Sequence, residues 1–224
     1  DYSEAGAEIC YEREKVFSAD ILLKVEPPSD EEIKLMKHKQ ILISALQLKT
    51  RSKEFFEALI KKKVTAISYE GLQDEEGIIP IVRSMSEIAG STAVLIAAQF
   101  LSNLNDGNGY LLGGVSGVPP TSVVILGAGT VGTFAARTAA GLGSQVQVFD
   151  ISLARLRRLQ NNVHTPINTC VMQSKLLENA LRQCDVAIGA VRSQTGRTPC
   201  LVSEEMVRGM KEGAVIVDVS IDQG

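Results

Sequence analysis

Tryptophan is absent from this sequence, histidine occurs twice, cysteine four times, and no two cysteines form a CxxC pair. Cys10, Cys170, Cys184 and Cys200 are scattered too widely for a disulfide frame or a metal site; they read as reduced, mostly buried thiols of a cytoplasmic protein. A marked excess of either charge is missing too. With 23 basic and 26 acidic residues the net charge is −3, so no basic surface recommends nucleic acid or an anionic membrane. Long apolar runs are lacking: AGSTAVLIAAQFL (89–101) is too short to span a bilayer and reads as a buried helix, so no membrane insertion is expected. The chain opens acidic and polar, with DYSEAGAE, which resembles no signal peptide. It begins without Met and ends just after a strand-like run, as a piece of something longer would.

What is present is a globular composition. Hydrophobic residues make up 45% of the 224 and the mean hydropathy is +0.10, enough for one large domain or two small ones. Apolar runs at 21–25, 41–46, 64–68, 123–126, 145–149, 185–190 and 214–220 read as strands. Amphipathic segments at about 30–37, 51–62, 85–104, 130–142, 152–161, 174–183 and 203–211 alternate with them. That alternation predicts an α/β fold with parallel sheets covered by helices. GYLLGGVSGVPP (109–120) carries four glycines and two prolines, which puts the expected boundary between domains 1–118 and 119–224.

The stretch VVILGAGTVGTFAARTAAGLGSQVQVFD (123–150) carries the most chemistry. Gly127, Gly129 and Gly132 form G-x-G-x-x-G, a weak signal alone; here a strand precedes it and a helix rich in small residues follows. Gly127 permits a tight turn, Gly129 leaves room for a pyrophosphate and Gly132 allows close helix–strand packing. The helix opening at Thr130 and Val131 would aim unpaired N–H groups at the phosphates. Asp150, 18 residues beyond Gly132, would accept from both ribose hydroxyls and repel a 2′-phosphate, favouring NAD(H) over NADP(H). The competing reading of Asp150 is a plain helix cap.

Polar residues fall at the carboxyl ends of the other strands, where open α/β sheets bind ligands: Lys24, Gln47, Tyr69 and Glu70, Arg192 and Asp222. Lys24 is open to two readings, an ammonium holding a substrate carboxylate or one that snorkels to solvent beside Glu26. Asp222 is likewise an acid in a site or an ordinary cap.

Taken in order, LLKVEPP around Lys24, MSEIAG (85–90), LLGGVSGVPP (111–120), VVILGAGTVG (123–132), VFDISLARLRRL (148–159) and VIVDVSIDQG (215–224) resemble the alanine dehydrogenase / NAD(P) transhydrogenase α-subunit family. The likeness covers essentially the whole chain and is nearer the alanine dehydrogenase branch, as a fragment lacking both ends. It implies two Rossmann-like parallel-sheet domains, the first an incomplete substrate domain, with a linking helix at about 85–104 and a cleft for cofactor and substrate. It implies NAD as cofactor, a small amino-acid or 2-oxo-acid substrate, and a homo-oligomer. By the resemblance Lys24 binds the substrate carboxylate or carbonyl, and Ser86 with Met85 lies near the nicotinamide. Gly127, Gly129 and Gly132 with Asp150 take the dinucleotide, and Asp222 helps hold the reacting centre.

Two departures bear on activity. The family's catalytic histidine falls on Gln47, a neutral amide that can hold a substrate but cannot exchange a proton near neutral pH. His38 precedes its strand and His164 lies in a polar loop, so neither replaces it. The family's N-terminal arginine motif lies upstream of residue 1. The resulting expectation is an NAD-dependent amino-acid dehydrogenase, with Asp222 as a substitute proton-transfer group. The alternatives are a transhydrogenase-like module passing hydride to a second nucleotide, a non-catalytic NAD-binding homologue, or a dehydrogenase of another amino acid that Gln47 reads.

Overall fold

In the computed structural model, which describes residues 1–48, 50–192 and 200–221, the chain separates into two units, Asp1–Val82 and Arg83–Gly224. Three parallel strands form the sheet of the first unit: β1 (Ile21–Leu23), β2 (Ile41–Ser44) and β3 (Thr65–Ser68), in that spatial order. Helix α1 (Arg13–Phe17) precedes them, and α2 (Asp30–Leu35) and α3 (Lys53–Lys61) are the crossovers. Phe17, Leu22, Ile33, Leu42, Phe55 and Leu59 close the core between sheet and helices. Only one face of β1 is covered: Leu22 is buried, while Ile21 and Leu23 are 56% and 75% exposed. Helix α2 starts on a complete capping box, with Ser29 and Glu32 each bonding the other's backbone N–H, which satisfies two donors the helix leaves open.

The second unit is doubly wound. Its five parallel strands lie in the order β6-β5-β4-β7-β8. They are β4 (Ser122–Leu126), β5 (Gln145–Asp150), β6 (Asn168–Val171), β7 (Val186–Gly189) and β8 (Val215–Asp218). Between them run α5 (Thr130–Gly141), α6 (Leu153–Asn162), α7 (Ser174–Gln183) and α8 (Glu204–Arg208). Here both sheet faces are covered, and alternate residues of β4 divide between them. Val123 and Ile125 join one cluster with Ala135 and Ala139 of α5, while Val124 and Leu126 join another with Leu177 and Leu181 of α7. The chain leaves β4 in one direction through α5 to β5, and β7 lies on the other side. That reversal of strand order marks the place where ligands bind in such sheets.

Ahead of β4 comes α4 (Pro80–Leu101), a 22-residue helix beginning on a proline, whose missing N–H costs nothing at that position. It starts five residues before the expected 85 and ends short of 104. By length and composition alone it could cross a membrane, unlike the shorter stretch anticipated. Its inner side, however, is part of a core: Ala93, Val94, Ala97 and Leu101 pack into the second unit. Leu112 of the glycine-rich segment joins the same cluster. The division between units consequently falls at Val82/Arg83, well before the 118/119 boundary read from glycine and proline content. Those breakers bend a loop that stays on the second unit.

Two elements lie outside the sequence expectations. The edge strand β6, NTCV, has no apolar run and no fully buried residue; backbone pairing to β5 makes it a strand. The five-residue α1 carries one buried side chain, Phe17, too little for an amphipathic signal.

Candidate functional site

At the carboxyl edge of the first sheet four of the anticipated residues, Lys24, Gln47, Tyr69 and Glu70, come together on neighbouring strand ends. Lys24 follows β1 and keeps the sheet register, its N–H bonding the Ile43 carbonyl at 3.0 Å. Its ammonium donates to Glu32 Oε2 at 2.6 Å, with both side chains largely buried. The two readings of Lys24 are thus joined by a third: it is held by an acid from the first turn of α2. Burial pushes the Glu32 carboxyl up, but the Lys24 hydrogen bond, the Ser29 N–H and the charges of Lys24 and Arg13 outweigh it and hold it below the ordinary carboxylate value.

Gln47 sits half-buried just past β2, with a left-handed backbone, φ +48°. Its N–H and that of Leu46 both donate to Glu70 Oε2, at 2.7 and 2.9 Å. Glu70 lies in the 3-10 turn Tyr69–Gly71 that follows β3. Beside it the Tyr69 hydroxyl donates to the carbonyl of Val25. His38 and His164 are exposed; His38 precedes β2, at the opposite edge from these residues.

The second unit carries the dinucleotide-type loop. Gly127 has φ +107°, a conformation costly for any side chain, and a Cβ there would lie 2.5 Å from the Ala190 carbonyl oxygen of the neighbouring strand's loop. A Cβ on Gly132 would run into the Gly127 carbonyl oxygen. Gly129 differs: a Cβ there would meet nothing. It is also the N-cap of α5 and, lacking a side chain, leaves the N–H groups of Thr130, Val131 and their neighbours without a side-chain cap. A helix start of this kind is suited to phosphate. Space beside Gly129 and open donors behind it fit a pyrophosphate.

Asp150 ends β5 and is 4% exposed. Its Oδ2 accepts from Ala128 N–H, inside the glycine loop, at 2.7 Å, and its Oδ1 from Ser152 N–H at 2.7 Å. The cap of α6 is Ser152, not Asp150. Arg155 approaches the carboxylate at 3.9 Å. Each carboxylate oxygen has a second lone pair, so the acid keeps acceptor capacity for ribose hydroxyls.

Ser86 and Met85 lie on α4, with Ser86 half-buried. Gly90, one turn further on and on the same side as Ser86, reaches the backbone of α5. A Cβ there would clash with the Val131 carbonyl oxygen and lie 3.0 Å from Ala135 N. This contact went unread in the sequence, although the glycine closing MSEIAG is its signal. It puts the α4 turn carrying Ser86 beside the start of α5. Glu32 was the other omission, and Glu70 was placed at its strand end without its contacts: both roles depend on partners on neighbouring elements. Asp222 lies outside the described residues. Arg192 follows β7 and is exposed. Two apolar hollows of the second unit, of about 480 and 270 Å³, are lined by neither the glycine loop nor Asp150.

With this geometry in place, comparison with known proteins gives concordant results. Residues 1–89 match the family model "Alanine dehydrogenase/PNT, N-terminal domain", and residues 93–224 the model "Alanine dehydrogenase/PNT, C-terminal domain". The whole chain is 41% identical to an alanine dehydrogenase of Staphylococcus haemolyticus, of which it covers 60%. Among solved structures it is similar to an L-alanine dehydrogenase, at 40% identity and a TM-score of 0.89 over 100% of this chain and 62% of that one. A transhydrogenase from Sinorhizobium meliloti is similar at 25% identity and a TM-score of 0.80, over 100% of this chain and 65% of that one. The chain thus spans about 60% of the length of the curated relatives it matches.

Proposed function

The chain belongs to the alanine dehydrogenase/PNT family, and on that premise we propose that it works in an NAD(H)-dependent amino-acid dehydrogenase of the alanine dehydrogenase type. The observation that carries this reading is the presence in one chain of a dinucleotide loop with open helix donors at Gly129 and an ammonium, Lys24, at the carboxyl edge of a second parallel sheet.

In the reductive direction ammonia adds to a 2-oxo acid, water leaves, and the imine is reduced at Cα. Bound NADH supplies the hydride. Lys24 fixes the substrate carboxylate by a charge-assisted hydrogen bond and polarises the carbonyl; its pairing with Glu32 limits the directions in which the ammonium can point. Gln47 donates or accepts a hydrogen bond but moves no proton. Asp222 orients the carbinolamine and takes over the proton transfer that Gln47 cannot perform. The backbone N–H groups opening α5 hold the pyrophosphate, Asp150 the ribose, and Ser86 with Met85 borders the nicotinamide. A homo-oligomer in the cytoplasm goes with this reading, although only Cys184 of the four cysteines is buried, against the mostly buried thiols expected.

A second reading has a specific observation in its favour. Handing hydride to another nucleotide needs no acid or base, so Gln47 suits a transhydrogenase-type module, and the similarity to the Sinorhizobium meliloti transhydrogenase agrees with it. Full-length protein assayed with pyruvate and ammonium, following NADH loss, separates the two. Turnover supports the dehydrogenase. NADH binding without turnover, with activity appearing only in Gln47→His, moves the assignment to the transhydrogenase-type or a non-catalytic role.

A further inference from the structure

We propose that Tyr69 and Glu70 are positioning residues of the substrate site, a two-residue clamp that sets where Lys24 and Gln47 stand; as a statement about substrate, this rests on the dehydrogenase reading. The two residues are consecutive, in the turn that follows β3, yet they hold the ends of the other two strands. The Tyr69 hydroxyl bonds the carbonyl of Val25, the residue after Lys24. Since β1 and β3 do not pair, this bond crosses the end of β2, and the ring that carries it is buried, 6% exposed. Glu70 turns the other way. One of its oxygens receives the N–H groups of Leu46 and Gln47, at 2.9 and 2.7 Å, and the Ser68 hydroxyl at 3.3 Å.

Two successive backbone donors converging on one anion form a nest. Such an arrangement requires the loop to turn sharply, and Gln47 does so with φ +48°, a conformation that disfavours a side chain carrying Cβ. The carboxylate of Glu70 compensates for that conformation. Take it away and two N–H groups lose their partner, and the left-handed turn at Gln47 is left to its carbonyl, which accepts from the Thr50 and Arg51 N–H groups. The opposite edge of the sheet is held by a separate device: the Gln40 carboxamide donates to the carbonyls of Phe17 and Ala19, at 2.9 and 2.5 Å. Loosening the clamp therefore displaces the substrate edge and leaves the sheet's other end anchored.

The test uses the full-length protein as wild type, Glu70→Ala, Glu70→Gln and Tyr69→Phe. Three quantities are read: hydrogen-exchange protection of the Leu46 and Gln47 amides, NADH affinity, and pyruvate affinity of the NADH-loaded protein. In Glu70→Ala, protection at Leu46 and Gln47 is expected to collapse, and pyruvate affinity to fall roughly tenfold or more, the effect of leaving buried donors unpaired. NADH affinity is expected to stay unchanged. Glu70→Gln, whose carbonyl still accepts, should recover part of the loss, and Tyr69→Phe should weaken pyruvate less than Glu70→Ala. Unchanged protection at Leu46 and Gln47 overturns the proposal, and so does a parallel loss of NADH and pyruvate affinity, which marks a merely structural residue. A wild type that binds pyruvate on NADH but consumes neither once ammonium is added sinks the dehydrogenase reading alone. One that binds NADH but no pyruvate sinks both.

Discussion

Behind β4 the chain is shaped by side chains that are missing; behind β1 and β2 it is held by side chains that reach across the sheet. In the second unit, Gly132 sits where a Cβ would strike the Gly127 carbonyl, Gly90 where one would strike Val131, and Gly129 faces open space. Backbone lies against backbone there, and the charged Asp150 binds the loop through Ala128 N–H. The first unit differs: a Cβ on Gly6, Gly71 or Gly77 would meet nothing. Its loops are placed by Glu32 on Lys24, Tyr69 on Val25, and Glu70 on Leu46 and Gln47. The difference suits the two ligands of the proposed reaction. A pyrophosphate is met by backbone donors and needs room, which glycine supplies. A small carboxylate-bearing substrate is met by a few long side chains, each of which needs something behind it to hold its direction.

The largest expected effect probes the glycine side of this contrast. In Gly132→Ala the new methyl meets a backbone oxygen that cannot move without deforming the loop, so stability should fall by roughly 1–3 kcal/mol and NADH binding with it. Gly129→Ala should leave the denaturation midpoint unchanged, because its methyl meets nothing in the protein, and still weaken NADH, because the methyl enters the ligand's space. Denaturant titration with NADH fluorescence on both variants checks this pair. Equal behaviour of the two would mean that loop integrity, not ligand space, is what both glycines serve.

These two mechanisms also explain how much could be read before any coordinates. A glycine spacing is local chemistry, so GAGTVG with its flanking strand and the acid at 150 was legible, whereas the edge strand β6, which owes its place to backbone pairing with β5, was not. A side-chain tie is not local. Glu70 reaches residues 23 and 24 positions away and Tyr69 one 44 positions away, and nothing in the motif SYEG states where those groups will point. Polar strand ends named residues that the structure brings to one edge of the first sheet, without the contacts that organise them. Composition misled at the unit boundary: LLGGVSGVPP looks like a linker, yet Leu112 is in the second unit's core. Gly90 was quoted within a motif without its reason, since helix–helix proximity leaves no mark besides the small residue itself.

Next in size is the effect of Lys24. Replacing it with Met keeps most of the aliphatic stem and removes the charge, so pyruvate affinity should drop by about 10- to 100-fold, the worth of one charge-assisted hydrogen bond. NADH affinity should be unaffected, because the glycine loop and Asp150, which hold the dinucleotide in this reading, belong to the second unit. Isothermal titration of both ligands measures the split. If NADH weakens in parallel, the separation of labour between the two units is wrong.

The smallest effect is a pH dependence confined to the first unit. Glu32 has its carboxyl held below the ordinary value of 4.5: burial raises it, and the Lys24 and Ser29 hydrogen bonds with the nearby positive charges outweigh that. A carboxyl depressed on folding adds stability that is fully present above its unfolded value and disappears as the pH falls through the folded one. Protonation removes the charge facing Lys24 and weakens the acceptor for Ser29 N–H, so the start of α2 should loosen in acid. Glu32→Gln retains a carbonyl acceptor for the cap and lacks the charge, which makes it the proper reference. At neutral pH the wild type should protect the α2 amides from exchange more than the variant does, by about 1 kcal/mol or less for a pair that is still partly solvated. Compared at matched pH, that advantage should shrink below pH 4.5 and vanish once Glu32 is protonated, with the α5 amides showing no such convergence. A wild-type advantage that persists in acid would mean that the Glu32 charge does not stabilise α2, and that Lys24 is held by its stem alone.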